Sequence, residues 1–175
     1  MKVLVTGGVR SGKSTHAEQL LEGYDDVTYV APGPTTLEDA DPDWAARIAA
    51  HQERRPAGWS TLETRDLPAG LGVTGPVLVD CLGTWLTATI DAAEAWDLPA
   101  DHVHALVDQR LSAAAGALAA AAGPVVLVTN EVGLGVVPEH RSGRLFRDLL
   151  GTVNQRLAQE CDEVHLVVSG RVLVL

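Results

Sequence analysis

Cysteine is scarce in this chain: Cys81 and Cys161 are the two in 175 residues, far apart and outside any C-x-x-C or Cys/His spacing. Neither a zinc site nor a disulfide framework is expected from them, and reduced, buried thiols in a cytoplasmic protein are the natural reading. Basic residues are also few, 13 against 23 acidic ones for a formal net charge of -10. That balance excludes duplex nucleic acid as an expected partner, because such binding neutralises many phosphates with lysine and arginine. A long apolar run is nearly present at 111–128, which carries no charge and approaches the ~20 residues a membrane-spanning helix needs. Gly123-Pro124 interrupts it, so it reads as the end of an alanine-rich helix followed by a short buried strand, and no membrane span is expected. The first strand is expected to begin at residue 2, which leaves no place for a cleavable leader. Internal repeats, low-complexity tracts and an inter-domain linker are missing as well.

Hydrophobic residues at 46% and charged residues at 21% suit one well-buried core, and the length suits a single domain over 1–175. Short, nearly continuous apolar runs at 2–6, 27–31, 76–80, 125–129 and 164–168 predict strands buried on both faces. Helical patterns at about 13–22, 42–55, 82–95, 101–122 and 142–160 fill the gaps. Alternation of this kind predicts an α/β domain of three layers around a mostly parallel sheet. Ser169-Gly170 followed by 171–175 predicts a closing antiparallel hairpin, and 60–64 is a further short strand. The most irregular stretches, 32–42 and 133–141, follow strand ends, where open α/β sheets bind ligands.

Gly7-Gly8-Val9-Arg10-Ser11-Gly12-Lys13-Ser14 fits G-x-x-x-x-G-K-[ST] between a strand and a helix, the context that motif requires. Glycines let backbone N–H groups turn inward around phosphate, Lys13 reaches the terminal phosphates of a nucleoside triphosphate, and the Ser14 hydroxyl ligates Mg2+. The ion wants an acid at a neighbouring strand tip, and Val77-Leu78-Val79-Asp80 provides one; Asp80 also fits a helix N-cap. On the helix expected at 42–55, Asp43, Arg47, His51 and Arg54 or Arg55 recur at spacings that put them on one face, with Trp44 and Ile48 on another. Arginines around a histidine in an acidic protein make a local anion site, and a neutral imidazole attacks phosphorus while guanidinium groups stabilise the charge that builds on its oxygens. A solvated basic face with an incidental histidine is the other reading.

Five segments together resemble a known family: residues 7–14; Arg47-Ile48-Ala49-Ala50-His51-Gln52-Glu53-Arg54-Arg55-Pro56; Val79-Asp80-Cys81-Leu82 with Trp85-Leu86; Asn130-Glu131-Val132-Gly133-Leu134-Gly135-Val136-Val137-Pro138; and Arg144-Leu145-Phe146-Arg147-Asp148 with Asn154-Gln155. In this order they are similar to the bifunctional adenosylcobinamide kinase / adenosylcobinamide-phosphate guanylyltransferase family of cobalamin biosynthesis, along the whole chain. The resemblance implies a RecA-like P-loop NTPase domain that phosphorylates the aminopropanol hydroxyl of adenosylcobinamide with ATP or GTP. It then transfers GMP from GTP to adenosylcobinamide phosphate, giving adenosylcobinamide-GDP and pyrophosphate. It further implies a guanylyl-histidine at His51, a homotrimer, and nucleotide contacts at Ala31, Pro32 and Gly33, at Gln52, Glu53, Arg54 and Arg55, and at Glu63. A carboxylate such as Glu63 can accept from guanine N1–H and N2–H together, although a solvated strand-end acid would look the same. Glu131 could position or deprotonate the acceptor hydroxyl, or Asn130-Glu131 could be a structural strand end.

The chain departs from the family pattern at Ala31-Pro32-Gly33-Pro34, where Ala-Thr-Ala is usual, at Asp41-Pro42-Asp43-Trp44, where Asp-x-Glu-Met is usual, and at Gly83-Thr84, where Thr-Leu is usual. Base contacts are affected by these changes more than phosphate chemistry is. Two rival readings follow from the P-loop alone: a single-activity small-molecule kinase, and a non-catalytic module switched by nucleotide. Neither needs His51. Trp44, Trp59, Trp85 and Trp96 are candidates for contact surfaces, with core packing the commoner use.

Overall fold

The computed structural model describes residues 1–175 apart from the side chain of Arg47. Seven strands form one sheet in the order β3-β2-β4-β5-β1-β6-β7. They are β1 (Lys2–Gly7), β2 (Thr28–Ala31), β3 (Ser60–Glu63), β4 (Val77–Asp80), β5 (Val125–Val128), β6 (Glu163–Val168) and β7 (Arg171–Val174). All neighbours pair in parallel except β6 and β7, which form the expected antiparallel hairpin. β5 intervenes between β1 and β4, the order of a RecA-like P-loop domain.

Period-2 alternation along the strands divides the core into two layers. Val3, Val5, Leu78, Val126, Val128 and Val167 face one side, where Ala17 and Leu21 from the region of α1 (Lys13–Gln19) cover them. Leu4, Val77, Val79, Val125 and Leu127 face the other side, under α3 (Leu67–Leu71), α4 (Leu82–Ala92), α5 (Ala100–Ala120) and α6 (Arg141–Ala158). The α6 stripe of Leu145, Leu149, Leu150, Val153 and Leu157 recurs at helical spacing, and all five are buried. Truncating Leu150 to Ala there removes ~2–5 kcal/mol of packing.

Helix ends fall short of the sequence expectation. α1 ends at Gln19, and α4 ends at Ala92 with Glu94 turning left-handed at φ 49°. The five-residue α3 has no periodic pattern to announce it: Leu-Pro-Ala-Gly-Leu reads as a turn, and the helix exists because the Asp66 side chain accepts from Ala69 N–H at 3.1 Å and Leu67 and Leu71 are buried. The apolar run at 111–128 is the end of α5, a turn and β5, and among the described residues no helix is long and apolar enough to cross a membrane.

Candidate active site

The carboxyl edge of the sheet gathers most of the residues singled out above. Gly7 ends β1, Ala31 ends β2 beside Glu63 at the end of β3, Asp80 ends β4, and Glu131 follows β5. The loop after β1 wraps on itself. Ser11 N–H donates to Gly8 O at 3.2 Å, Lys13 Nζ donates to the same carbonyl at 3.2 Å, and Gly12 enters α1 at φ 94°, a left-handed conformation that glycine adopts without a Cβ clash. Its two ends are braced from behind: Gly170 N–H in the β6–β7 turn donates to Ser11 O at 2.8 Å, and Glu131 N–H donates to Gly7 O at 3.1 Å. Gly8, Val9 and Arg10 are exposed, Ser11 is buried with its hydroxyl oxygen unpaired, and Ser14 is half-buried in the first turn of α1.

α2 (Pro42–Arg54) lays His51 against this edge. Asp41 caps it by accepting from Asp43 N–H at 2.9 Å. His51 shares its half-buried side with Trp44 and Ile48, while Asp43 is exposed. This corrects the expected face: the spacing 44, 48, 51 is the inward one, because Trp44 packs over Gly33 and donates to Pro34 O at 2.9 Å. Arg55 leaves the helix in an extended conformation instead of sharing its surface. The Arg47 side chain lies outside the described residues.

Around His51 the charges interlock. Nδ1 is 3.7 Å from Asp80 Oδ2 and 3.3 Å from Arg54 Nη2. Arg54 in turn forks onto Glu18 of α1 through Nε at 3.3 Å and Nη2 at 3.1 Å. Burial holds the imidazole proton affinity below its ordinary range; Asp80 and Glu18 oppose that, and the Arg54 and Arg55 guanidiniums add to it. The histidine is therefore predominantly neutral at pH 7. The Arg55 guanidinium carbon sits over the Tyr29 ring, 3.3 Å from its centroid, and Arg55 donates to Thr61 Oγ1 at 2.8 Å. Burial first, and then the negative charge of Asp80 beside it, raises the Tyr29 phenol well above its usual range.

Sequence reasoning missed Tyr29 and Glu18. Tyr29 is a β2 core residue by pattern, 3% exposed, and Glu18 is a single acid on α1 with no motif around it. A weak signal for Glu18 was available, since it stands one turn beyond Ser14 on the same face.

The cap alternative for Asp80 does not hold. Cys81 is the N-cap of α4, with its N–H donating to Thr84 Oγ1 at 3.4 Å and Thr84 Oγ1 donating to Cys81 O at 2.9 Å. Asp80 Oδ2 is buried and makes no hydrogen bond of good geometry among the described residues, with the Tyr29 hydroxyl facing the same carboxylate, an expensive position for a carboxylate oxygen unless a cation or donor meets it. An oxygen of that kind, with the Ser14 hydroxyl in the first turn of α1, fits the hard-oxygen donor set of Mg2+ on phosphates, which takes one or two protein ligands. Arg55 Nε is likewise buried and unpaired, a donor suited to a phosphate oxygen.

Other residues are placed less decisively. Glu63, Gln52 and Glu53 are exposed at the rim, Pro32 is buried, and Ala31 and Gly33 are half-buried. Glu131 Oε1 accepts from Gly133 N–H at 2.6 Å, so part of that carboxylate holds its own loop. The same loop is tied to α6 by Arg147, which donates to Gly133 O at 2.8 Å and Gly135 O at 3.0 Å, and by Arg144, which donates to Pro138 O at 3.1 Å. Asn154 completes the brace, donating to Asn130 O at 3.1 Å and accepting from Thr129 Oγ1 at 2.6 Å.

The profile of the family described as cobinamide kinase / cobinamide phosphate guanyltransferase matches residues 3–175. The bifunctional adenosylcobalamin biosynthesis protein CobU of Salmonella typhimurium is 44% identical, covering 97% of this chain and 97% of its own. CobU of Escherichia coli is 41% identical with the same coverage of both chains. The bifunctional adenosylcobalamin biosynthesis protein CobP of Pseudomonas aeruginosa is 37% identical, over 97% of this chain and 94% of its own.

Proposed function

We propose a mechanism from the premise that this chain belongs to the cobinamide kinase / cobinamide phosphate guanyltransferase family. It phosphorylates adenosylcobinamide and transfers GMP from GTP to adenosylcobinamide phosphate, a step of cobalamin synthesis. The observation that carries the mechanism is the pairing of His51 Nδ1 with Asp80 Oδ2 at 3.7 Å, next to a phosphate loop.

In our reading residues 7–14 bind the triphosphate through backbone N–H groups, with Lys13 following charge on the terminal phosphates. Ser14 and Asp80 would hold Mg2+, which supplies neutralisation of phosphate charge when bound. For GMP transfer, the imidazole carries its proton on Nδ1, facing Asp80, and attacks the α-phosphorus of GTP through Nε2. An N–P bond forms, the bond to the bridging oxygen breaks, and pyrophosphate leaves. A phosphate oxygen of adenosylcobinamide phosphate then attacks the same phosphorus, the N–P bond breaks, and His51 is regenerated. In this tautomer the Nδ1 proton and the Arg54 Nη2 donor 3.3 Å away repel, which turns Arg54, steadied by Glu18, toward the phosphate oxygens, where it and Arg55 stabilise charge. For the kinase step, the remaining carboxylate oxygen of Glu131 orients the acceptor hydroxyl. Ala31, Pro32, Gly33 and Glu63 at adjoining strand ends, with Gln52 and Glu53 at the rim, form the nucleoside side of the site.

The working unit in this reading is one catalytic domain over 1–175, cytoplasmic and homotrimeric. Both cysteines are free thiols, in keeping with a reducing compartment. Self-association is supported by the edge strand β7, whose Val172, Leu173 and Val174 are all exposed. The test is incubation with adenosylcobinamide, Mg2+ and either ATP or GTP, with products resolved by mass. Cobinamide phosphate followed by adenosylcobinamide-GDP supports the reading. Phosphate transfer alone would reduce the chain to a kinase, and triphosphate hydrolysis alone to a nucleotide-switched module.

A further inference from the structure

Two cavities lie along the exposed side of α4, and Thr87 and Asp91 line both, so they form one continuous open groove. The smaller, about 330 Å3, is bordered by Pro34, Trp44, Arg65 and Thr84. The larger, about 560 Å3, lies beyond it between Trp96 and Phe146, with Ser142 at the rim. The near end of the groove adjoins the site described above by three separate connections. Thr84 closes the first turn of α4 onto Cys81, the residue after Asp80. Trp44 stands two helical turns before His51 on the same side of α2. Gly33 packs so closely beneath both that a Cβ there would meet Thr84 Cβ at 3.2 Å and the Trp44 ring at 3.3 Å.

The lining is specific in its chemistry. Trp44, Trp96 and Phe146 offer flat apolar faces, and between them stand acceptors at Asp39 and Asp91 and a donor at Arg65. A ligand matched to this groove has a broad, flat, apolar body fringed by groups that both donate and accept hydrogen bonds. A nucleotide base is flat and fringed by such groups but too small to span both cavities, about 330 and 560 Å3, and so does not answer the whole description. A corrinoid does, because its macrocycle carries peripheral carboxamides, each with donor and acceptor atoms. Its volume also calls for a site much larger than the phosphate loop.

On the functional reading above, we infer that the α4 groove holds the corrinoid body of the acceptor. The terminal hydroxyl or phosphate of its side arm then reaches past Thr84 to the phosphates held by residues 7–14. Nucleotide and acceptor thus approach His51 and Asp80 from opposite sides, and filling the groove blocks the acceptor without touching nucleotide binding. The departures at Pro34, Trp44 and Thr84 fall on this groove, where they shape the acceptor side of the site.

Two substitutions test the inference in the full chain. Thr87→Trp places an indole where the two cavities meet, and Ser142→Trp places one from an exposed position on the far rim, where it leaves the core alone. Each is expected to raise the KM for adenosylcobinamide about tenfold or more while the KM for the nucleotide stays within about twofold. Equilibrium dialysis of adenosylcobinamide, read by its own visible absorbance, measures the same loss without turnover. Binding and KM unchanged in both variants, with an active wild-type protein, would overturn the groove assignment alone. A wild-type protein that neither binds nor converts adenosylcobinamide would overturn the functional reading and the groove with it.

Discussion

Burial and, after it, the surrounding charges set the proton affinity of His51. The guanidinium of Arg54 lowers its proton affinity, and Glu18, which Arg54 engages, raises it. Arg54→Gln removes the first effect and releases the second, and both changes raise the pKa of His51. The acid limb of GMP transfer, where the imidazole is lost to protonation, therefore moves to higher pH in Arg54→Gln. Asp80→Asn removes an influence that raises it, and the limb moves to lower pH. A pH profile of GMP transfer checks both signs; shifts in the same direction would contradict this electrostatic account. Asp80→Asn should also lose more activity at low Mg2+ than at high, since metal affinity suffers first. Titration of the rate against Mg2+ measures that, and an unchanged dependence would remove Asp80 from the metal site. His51 and Asp80 stood out in the sequence as candidates because their types and motif spacings are informative. Tyr29 and Glu18 were hidden because their importance comes from what crosses over them, an arginine stacked on one and an arginine forked onto the other.

The loop between β1 and α1 separates two uses of glycine. A Cβ on Gly7 would fall 2.4 Å from Val167 O and 2.7 Å from Ser11 Oγ, whereas one on Gly8 would meet nothing within 4 Å. Gly7→Ala must therefore displace β6 or the loop, and is expected to cost about 1–3 kcal/mol of stability, the range for overpacking. Gly8→Ala should leave stability within ~0.5 kcal/mol and, on our reading that phosphate approaches through the open space there, weaken nucleotide binding. Denaturant unfolding and nucleotide titration of the two variants separate these effects. Equal stability losses would show that Gly7 is not packed against β6 and Ser11 as described. Lys13→Ala should impair both half-reactions, and a wild-type kinase rate at saturating nucleotide would remove the loop assignment. The strands and the loop were legible because runs of Val and Leu bounded by Gly, Pro and Asp leave few alternatives. The orientation of α2 was not. Its pattern supports two stripes one residue apart, and only the packing of Trp44 over Gly33 selects the one that turns His51 inward.

At the scale of the molecule, the sheet has an exposed edge at β7, continued by Leu175 at 70% exposure. Apolar edges of this kind pair with other chains unless they are protected. Light scattering on the purified protein is expected to give the mass of three chains, and Leu173→Lys at that edge to shift it toward one. A monomeric wild type would remove the trimer. The order of elements along the chain predicted the α/β class and the closing hairpin, whereas how copies meet is not written in any periodicity. The central claim, a covalent nucleotide on His51, has a more direct test. Protein incubated with Mg2+ and GTP labelled at the α-phosphate should carry label through denaturation, and acid should remove it while mild alkali does not, as for a phosphoramidate. GTP labelled at the γ-phosphate should leave none, and neither should α-labelled GTP with His51→Ala. Label persisting in His51→Ala would place the nucleophile elsewhere and return α2 to a solvated basic surface.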